Sequence, residues 1–483
     1  MLPHLKVLEP EQLDLVHAAS LAILDSTGLV VAHEATLDLI EEAGGRVNRN
    51  ELRAWLPPEL VMQQLAKAER RIILGGRTPE RDIVLPGATA NLPVTRPITG
   101  PDRWLDHRTE EARPAGTQDL LAWANVIEQL PHLDFTGLIL THDMPPYSRD
   151  VAGTALMLQH TTKHVHTDPH SAEAARMLVE LAMVVAGTRE QLRRRPVLSW
   201  LQVCVSPLHL SRKTVELMLV NGEYGLPTFL NSSPIAGGTG PATLAGVAAQ
   251  VNAEILGMNC VLQLHHPGTP VVYQTRPSLF EMEQGTSVWG CIEGALAAAA
   301  SVQLAKEKYG LVTDAYGPTT DSKLVDEQSS VERAWSMLLP ALAGVDILPG
   351  AGNLDGQGCL SLLQLVMDDE WLASIKRMMQ GMAVDGERLA VDVFREVGPR
   401  GQFLATDHTA RHCRSLYLPG SLRDRQSRPA WEASGRPSLR KAARERLESL
   451  LLAAPPEPLP PEVVAELDRI VRHAAQTLNR VES

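Results

Sequence analysis

The chain has 483 residues, 44% of them hydrophobic, and a formal net charge of -12. That is enough apolar material for one large α/β barrel with additions, or for about two or three ordinary domains. The acidic balance argues against a nucleic-acid partner, since the one basic run, Arg193-Arg194-Arg195, reads as a solvated helix end. The five cysteines (Cys204, Cys260, Cys291, Cys359, Cys413) are scattered without CxxC spacing, which points to reduced thiols in a cytoplasmic protein. No apolar run is long enough to span a membrane, and the opening MLPHLKVLEP lacks the basic-then-apolar pattern of a signal peptide.

The chain opens with helical patterns. Glu11 to Leu24 carries apolar residues at helical spacing behind Pro10, His33 to Glu42 stops at Gly44-Gly45, and Pro58 to Arg70 again starts on proline. From Arg71 to Asp102 short apolar runs are punctuated by Gly and Pro, as in a small β layer. From about Thr117 strand and helix patterns alternate. Buried strands are expected at Leu133–Leu140, His164–Thr167, Val197–Val205, Pro227–Leu230, Pro270–Gln274, Leu311–Ala315 and Val345–Leu348. Helices are expected at Val151–Thr161, Ser171–Val185, Ser211–Asn221, Thr243–Leu262, Ser287–Lys308 and Glu327–Ala343. The repeat predicts a parallel sheet with right-handed crossovers. Seven strands leave a closed eight-stranded barrel one short, with the eighth expected after Cys359; an open doubly wound sheet is the alternative. After about Gly420 the chain turns charged and proline-rich, and a late helix fits Pro461 to Leu478. These patterns divide the chain into an N-terminal helical and small β cap (1–115), an α/β barrel (116–420) and a C-terminal helical tail (421–483). The tail packs outside the barrel or against a second subunit, which leaves a homodimer open.

Several groups at the predicted strand ends could carry chemistry. Ala236-Gly237-Gly238-Thr239-Gly240-Pro241 joins a strand to a long helix but lacks the Lys-Ser/Thr of a P-loop and the spacing of GxGxxG. It makes a tight turn or lets a bulky planar cofactor or a partner approach the backbone. His164 and His166 alternate along a strand, so both rings share one side and could begin a metal site, as in metal-dependent barrel hydrolases. The later strand ends offer Asn231, Gln274 and Asp314, a poor set of further ligands, so no bound metal is expected. His265-His266 reads as a helix C-terminal pair. Asp314, Asp321 and Asp326 cluster with Lys323 after one strand, and Glu281 and Glu283 follow another. Aromatic residues are scarce, 4% of the chain, yet Trp200, Tyr273, Phe280, Trp289 and Tyr316 all fall within or near predicted strands. They read as core packing or as an aromatic cage for a quaternary ammonium, each face contributing about 0.5–2 kcal/mol. Pro349-Gly350-Ala351-Gly352-Asn353 makes a turn or an anion-binding loop.

The run Gly237 to Gly246, then Asn252-Ala253-Glu254-Ile255-Leu256, then Pro267-Gly268-Thr269-Pro270-Val271-Val272-Tyr273, resembles the trimethylamine methyltransferase family. So do Thr320-Asp321-Ser322-Lys323 with Asp326 and Gln328, Gly401-Gln402-Phe403-Leu404 with His408-Thr409, and Gly75-Gly76-Arg77. The resemblance covers about residues 10 to 435. It implies a (β/α)8 TIM-type barrel that moves a methyl group from a methylated amine to the Co(I) of a corrinoid (cobalamin) carried by a separate corrinoid protein. No Asp-x-His-x-x-Gly motif for the chain's own corrinoid is present; Asp168-Pro169-His170 comes nearest, with Glu173 where glycine would stand. Archaeal trimethylamine enzymes carry pyrrolysine, whereas this chain uses only the standard twenty residues. It is therefore similar to the non-pyrrolysine branch, some members of which demethylate glycine betaine. Ser329-Ser330 and Glu281-Met282-Glu283 depart from the family pattern.

The resemblance and the strand-end aromatics together give the expected site. Trp200, Tyr273, Trp289 and Tyr316 would hold a small quaternary amine beside Asp321, and Gly237, Gly238, Gly240, Gly350 and Gly352 would face the corrinoid. Of the five amine-site residues only Tyr273 and Asp321 lie in the matched motifs. The rival expectations are a metal-dependent hydrolase using His164 and His166, and a non-catalytic betaine-binding protein.

Overall fold

The computed structural model describes residues 5–87 and 92–479, so the outermost residues of the cap and tail segments lie outside it. Eight strands form one all-parallel sheet: β1 (Val94–Pro97), β2 (Thr136–Gly137), β3 (Val165–Thr167), β4 (Leu198–Val203), β5 (Thr228–Ser232), β6 (Val271–Thr275), β7 (Val312–Ala315) and β8 (Ile347–Ala351). The order runs β1-β8-β7-β6-β5-β4-β3-β2. The Asp134 N–H donates to the Thr95 carbonyl at 2.8 Å and the Gly100 N–H to the Leu138 carbonyl at 2.9 Å, drawing β2 against β1. The sheet is thus a nearly closed (β/α)8 barrel, and the open doubly wound alternative falls.

The eighth strand does not come from the segment after Cys359. It is Val94–Pro97, inside the segment expected to be cap, where flanking prolines disguise a short strand as a turn. Ile72–Leu74 and Ile83–Leu85 pair as an antiparallel hairpin. Their buried side chains pack with Phe135, Phe229, Val272, Val312 and Ile347, sealing the barrel's lower end. Helices Pro10–Ala22, Glu34–Glu42 and Pro58–Leu65 pack on helix Leu244–His265, and the hairpin Arg103–Leu105 with Ala112–Pro114 pairs with Cys359–Leu360. Every residue from Val247 to Gln263 of that helix is buried, because the barrel covers one side and the N-terminal helices cover the other. The last helix, Pro461–Leu478, lies against helices Arg149–His160 and Ala172–Ala186. Among the described residues no helix is long and apolar enough to cross a membrane.

Strand side chains alternate between the barrel interior and the helix layer. Phe229, Val272, Val312 and Ile347 point inward and form an apolar layer. Two residues further along β5, β6 and β7 the next inward layer is polar. Asn231 pairs in register with Gln274, and Gln274 with Asp314, while Arg96 stands on β1 opposite Pro349 of β8. This polar layer at the C-terminal mouth is where the barrel changes from core to site.

Glu254 fastens the mouth loops from outside. It is fully buried and accepts from Ser206 Oγ at 2.8 Å, the Leu208 N–H at 3.0 Å, Ser232 Oγ at 2.6 Å and Gln250 Nε2 at 2.9 Å. Glu254→Ala orphans these four donors and is expected to cost about 2–4 kcal/mol, read as a fall in melting temperature.

Inside the barrel His164 and His166 share one side, as their spacing predicts, but they form a structural chain. His164 Nδ1–H donates to the carbonyls of Pro196 at 3.0 Å and Gly75 at 3.2 Å. Its Nε2 then accepts from Ser199 Oγ at 2.8 Å, which in turn accepts from His166 Nδ1–H at 2.9 Å. Burial pulls the His164 pKa down to about 4, so it is neutral in the folded protein. Between pH 6.5 and 4 the unfolded chain binds the extra proton, so stability is lost as pH falls through that window. The expected loss is about 3 kcal/mol from this group, and a His164→Gln variant should lose less of its melting temperature over the same range.

Candidate active site

The mouth of the barrel holds a pocket of about 100 Å³ that opens to solvent. Arg96, Leu201, Asn231, Gln274 and Arg276 rise from the strands. Gly350 of β8 joins them, and the loops after β6, β7 and β8 add Trp289, Tyr316, Asn353 and Gln357. The side-chain oxygens Asn231 Oδ1, Gln274 Oε1, Thr319 Oγ1 and Asn353 Oδ1 are buried and have no hydrogen-bond partner. Unpartnered buried acceptors are costly unless something binds to them.

Two arginines share one carboxylate at the pocket floor. Asp314 Oδ1 accepts from Arg276 Nη2, and its Oδ2 lies 3.7 Å from Arg96 Nη2. Arg276 Nη1 donates to the carbonyls of Thr275 at 2.9 Å and Asp314 at 3.2 Å. Arg96 Nη1 donates to the Pro97 carbonyl at 3.0 Å and to Thr99 Oγ1 at 3.1 Å. Burial lowers the Arg96 pKa to about 10, which still leaves it charged at neutral pH.

One wall is aromatic. After β6 the chain makes a hairpin, Ser278–Glu281 with Thr286–Val288, that delivers Trp289 to the mouth. Ser287, expected in a helix, lies instead in this hairpin's second strand, and the helix starts at Ile292. The Trp289 and Tyr316 rings meet edge to face, 5.7 Å between centroids at 87°. Arg276 covers the Tyr316 ring at 5.1 Å, so the indole is the aromatic face left for a ligand. Asp321 holds that indole in place from behind. Its carboxylate accepts the Trp289 N–H at 3.0 Å and the Gly290 N–H at 2.6 Å. Glu332 fixes Asp321 in turn, accepting its N–H at 2.8 Å and Thr320 Oγ1 at 2.6 Å. The Asp321 carboxylate, expected from the sequence to be catalytic, therefore faces backbone N–H groups. Burial raises its pKa, against the pull of these two N–H groups.

The expected cage of four aromatics shrinks to two. Trp200 and Tyr273 are fully buried, but they sit at outward positions on β4 and β6 and face the helix layer. Tyr273 Oη donates to Asn252 Oδ1 of helix Leu244–His265 at 3.3 Å. Their inward neighbours Leu201 and Gln274 line the pocket in their place. Gly237, Gly238 and Gly240 lie on the rim, where the Ile235–Ala236 strand pairs with Ser278–Leu279. Gly350 lines the pocket. Gly352 is buried; a Cβ there would come within 2.7 Å of the Trp123 ring, and its N–H donates to Asp368 Oδ2 at 2.7 Å. It is sealed from any ligand at the mouth. Among the described residues no group of three or more His, Cys, Asp or Glu side chains is placed to hold a metal ion, which leaves the hydrolase reading without a ligand set.

Arg96, Arg276 and Gln357 were missed from sequence. The available signal was a lone arginine directly after a buried run, as in VVYQTR, at the strand end where barrels place their sites.

The comparisons with known proteins agree with this architecture. The trimethylamine methyltransferase (MTTB) family profile matches residues 1–478. The trimethylamine methyltransferase MttB of Desulfitobacterium hafniense (strain DSM 10664 / DCB-2) is 31% identical over 468 residues, covering 95% of this chain and 92% of its own. The glycine betaine methyltransferase of D. hafniense strain Y51 is 29% identical, covering 98% and 97%. The crystal structure of a hydroxylamine complex of MtmB superposes with a TM-score of 0.51 at 12% identity, over 92% of this chain and 93% of that one, a likeness of fold alone. With a barrel of this fold and a family match over nearly its full length, the chain belongs to the trimethylamine methyltransferase family and is a methyltransferase.

Proposed function

We propose that this protein transfers a methyl group from a small quaternary amine, glycine betaine-like, to a corrinoid carried by a separate protein. The observation that carries the reading is the chemistry of the pocket wall. It offers one free indole face and several neutral amide oxygens, while the nearby carboxylates are already engaged. Asp314 is shared by two guanidiniums, and Asp321 is bound to backbone N–H groups. Tyr316 Oη donates to the Arg276 carbonyl at 3.3 Å and accepts from Gln357 Nε2 at 3.2 Å. A tertiary amine must be protonated or otherwise activated to release its methyl. A quaternary one leaves as a neutral amine without a general acid.

The indole attracts the ammonium through its π face, and amide oxygens accept weak C–H contacts from N-methyl groups. None of these groups competes as a nucleophile. Holding the methyl in line with its acceptor supplies on the order of 7–11 kcal/mol of the barrier. A corrinoid delivered to the mouth would supply the Co(I) acceptor. A macrocycle borne by another protein covers a pocket of this size rather than entering it. The rim suits such a visitor: Val203, Val205, Met282 and Leu324, on loops after β4, β6 and β7, are exposed, and Gly237, Gly238 and Gly240 keep one edge low. A homodimer, which the sequence leaves open, would have the exposed Met382, Phe394, Leu404 and Leu416 to bury. Five free cysteines accord with a cytoplasmic setting.

Incubation with quaternary amines and free cobalamin reduced to Co(I) should give methylcobalamin, followed by its absorbance. Binding of a betaine without transfer, or trimethylamine as the preferred donor, would overturn the proposal. Asp321→Asn turns one acceptor into a donor facing the Trp289 and Gly290 N–H groups. It should raise KM about tenfold or more with a smaller change in kcat, and weaken the near-ultraviolet circular dichroism of Trp289. An unchanged KM would remove Asp321 from the site.

A further inference from the structure

The floor of the pocket carries a charge that a simple ammonium would not welcome. Arg96 and Arg276 are the ionised side chains of its lining, and the one carboxylate behind them, Asp314, answers for both. Two positive charges against one negative leave the buried cluster with a net charge of one positive. His166, below the arginines, adds nothing to this balance, because burial keeps it neutral. At the rim Lys323 lies 3.4 Å from Asp355 and Asp321 faces backbone, so neither supplies a free counter-charge. A bare cation such as tetramethylammonium would meet repulsion here.

Arg96 also has donors to spare. Arg96 Nε is buried without a partner, and its Nη2 is no closer than 3.7 Å to the Asp314 oxygen. Arg96 is 3% exposed and Arg276 8%, so water does not compete freely for these groups. Buried guanidiniums that line a pocket match the geometry of a carboxylate.

We infer that Arg96 and Arg276 form a carboxylate subsite, and that the methyl donor is a zwitterion with its anionic end on these guanidiniums and its ammonium against Trp289. This rests on the methyl-transfer reading above and narrows its substrate class. Tyr316 bounds the distance between the charges. Arg276 lies over its ring at 5.1 Å and Trp289 meets it edge-on at 5.7 Å, so guanidinium and indole flank one side chain. A short betaine, with one or a few carbons between nitrogen and carboxylate, spans that gap. With the acid at the floor, the N-methyl groups face the mouth and the incoming acceptor.

The test compares trimethylglycine with two probes that keep the ammonium and lose the acid: its primary amide and tetramethylammonium. For the wild-type protein, kcat/KM for methyl transfer to Co(I) cobalamin should favour trimethylglycine by about 30-fold or more, the worth of a charge-assisted hydrogen bond or two. Arg96→Gln should shrink that preference to within about threefold. Amide or tetramethylammonium used by the wild type within about threefold of trimethylglycine would overturn the subsite. If Arg96→Gln does not fold, the wild-type comparison decides alone. If no donor yields methylcobalamin, the methyl-transfer reading fails, and thermal stabilisation then judges the subsite separately. Stabilisation by trimethylglycine but not by its amide upholds the subsite; equal stabilisation, or none, overturns it.

Discussion

Asp314 under two guanidiniums is the interaction on which the mouth of this barrel depends. One carboxylate at the end of β7 reaches Arg276 at the end of β6 and Arg96 on β1. It thus ties together side chains from strands that the sequence separates widely. Burying three charges is unfavourable unless each finds partners. Here the arginines find backbone carbonyls as well as the carboxylate, yet one positive charge stays unanswered and several amide oxygens stay unpaired. A core built only for stability would not leave that remainder. A site that completes itself with a ligand would.

The layers above and below give this cluster its meaning. Beneath it Phe229, Val272, Val312 and Ile347 close the barrel, so the pocket has a floor and no rear exit. Beside it the loop hierarchy runs outward from helix Glu327–Leu342. Glu332 holds Asp321, and Asp321 holds the backbone of Trp289. On the opposite side Arg333, fully buried, donates to the Pro318 and Asn353 carbonyls and pairs with Asp368 at 3.2 Å. The loops after β7 and β8 are therefore anchored by charged groups on the helix behind them. The aromatic wall and the amide wall are both set before any ligand arrives, which is what in-line methyl transfer needs from a protein.

Much of the fold was legible because its signals are local. Strand runs, proline at helix starts and glycine at turns placed seven of the barrel strands, and helix Pro461–Leu478 matches its expected ends. The strand at Val94–Pro97 was hidden because prolines at both ends speak against a strand, although an end position tolerates them. The site was harder. Parallel strands buried on both faces read as unbroken apolar runs, so nothing in PVVYQT says whether Tyr273 or Gln274 faces inward. Parity decides it, and parity is fixed by pairing with β5 and β7. For the same reason Trp200 was taken for a site residue and Leu201 was not. Trp289 and Tyr316 were legible because they stand in loops beyond the strands, where alternation no longer applies. Asp321 stood out through its motif, and its contact with the Trp289 backbone came only with the fold. Arg96 and Arg276 share a carboxylate with a residue on a third strand, a relation that only the closed barrel creates.

The most direct measurement is a crystal structure of the protein with trimethylglycine bound. The account predicts the carboxylate within hydrogen-bonding distance of the Arg96 and Arg276 guanidiniums, the ammonium against the Trp289 indole, and an N-methyl group facing the open mouth. An ammonium seated at the arginine floor, or a betaine bound outside the pocket, would contradict it.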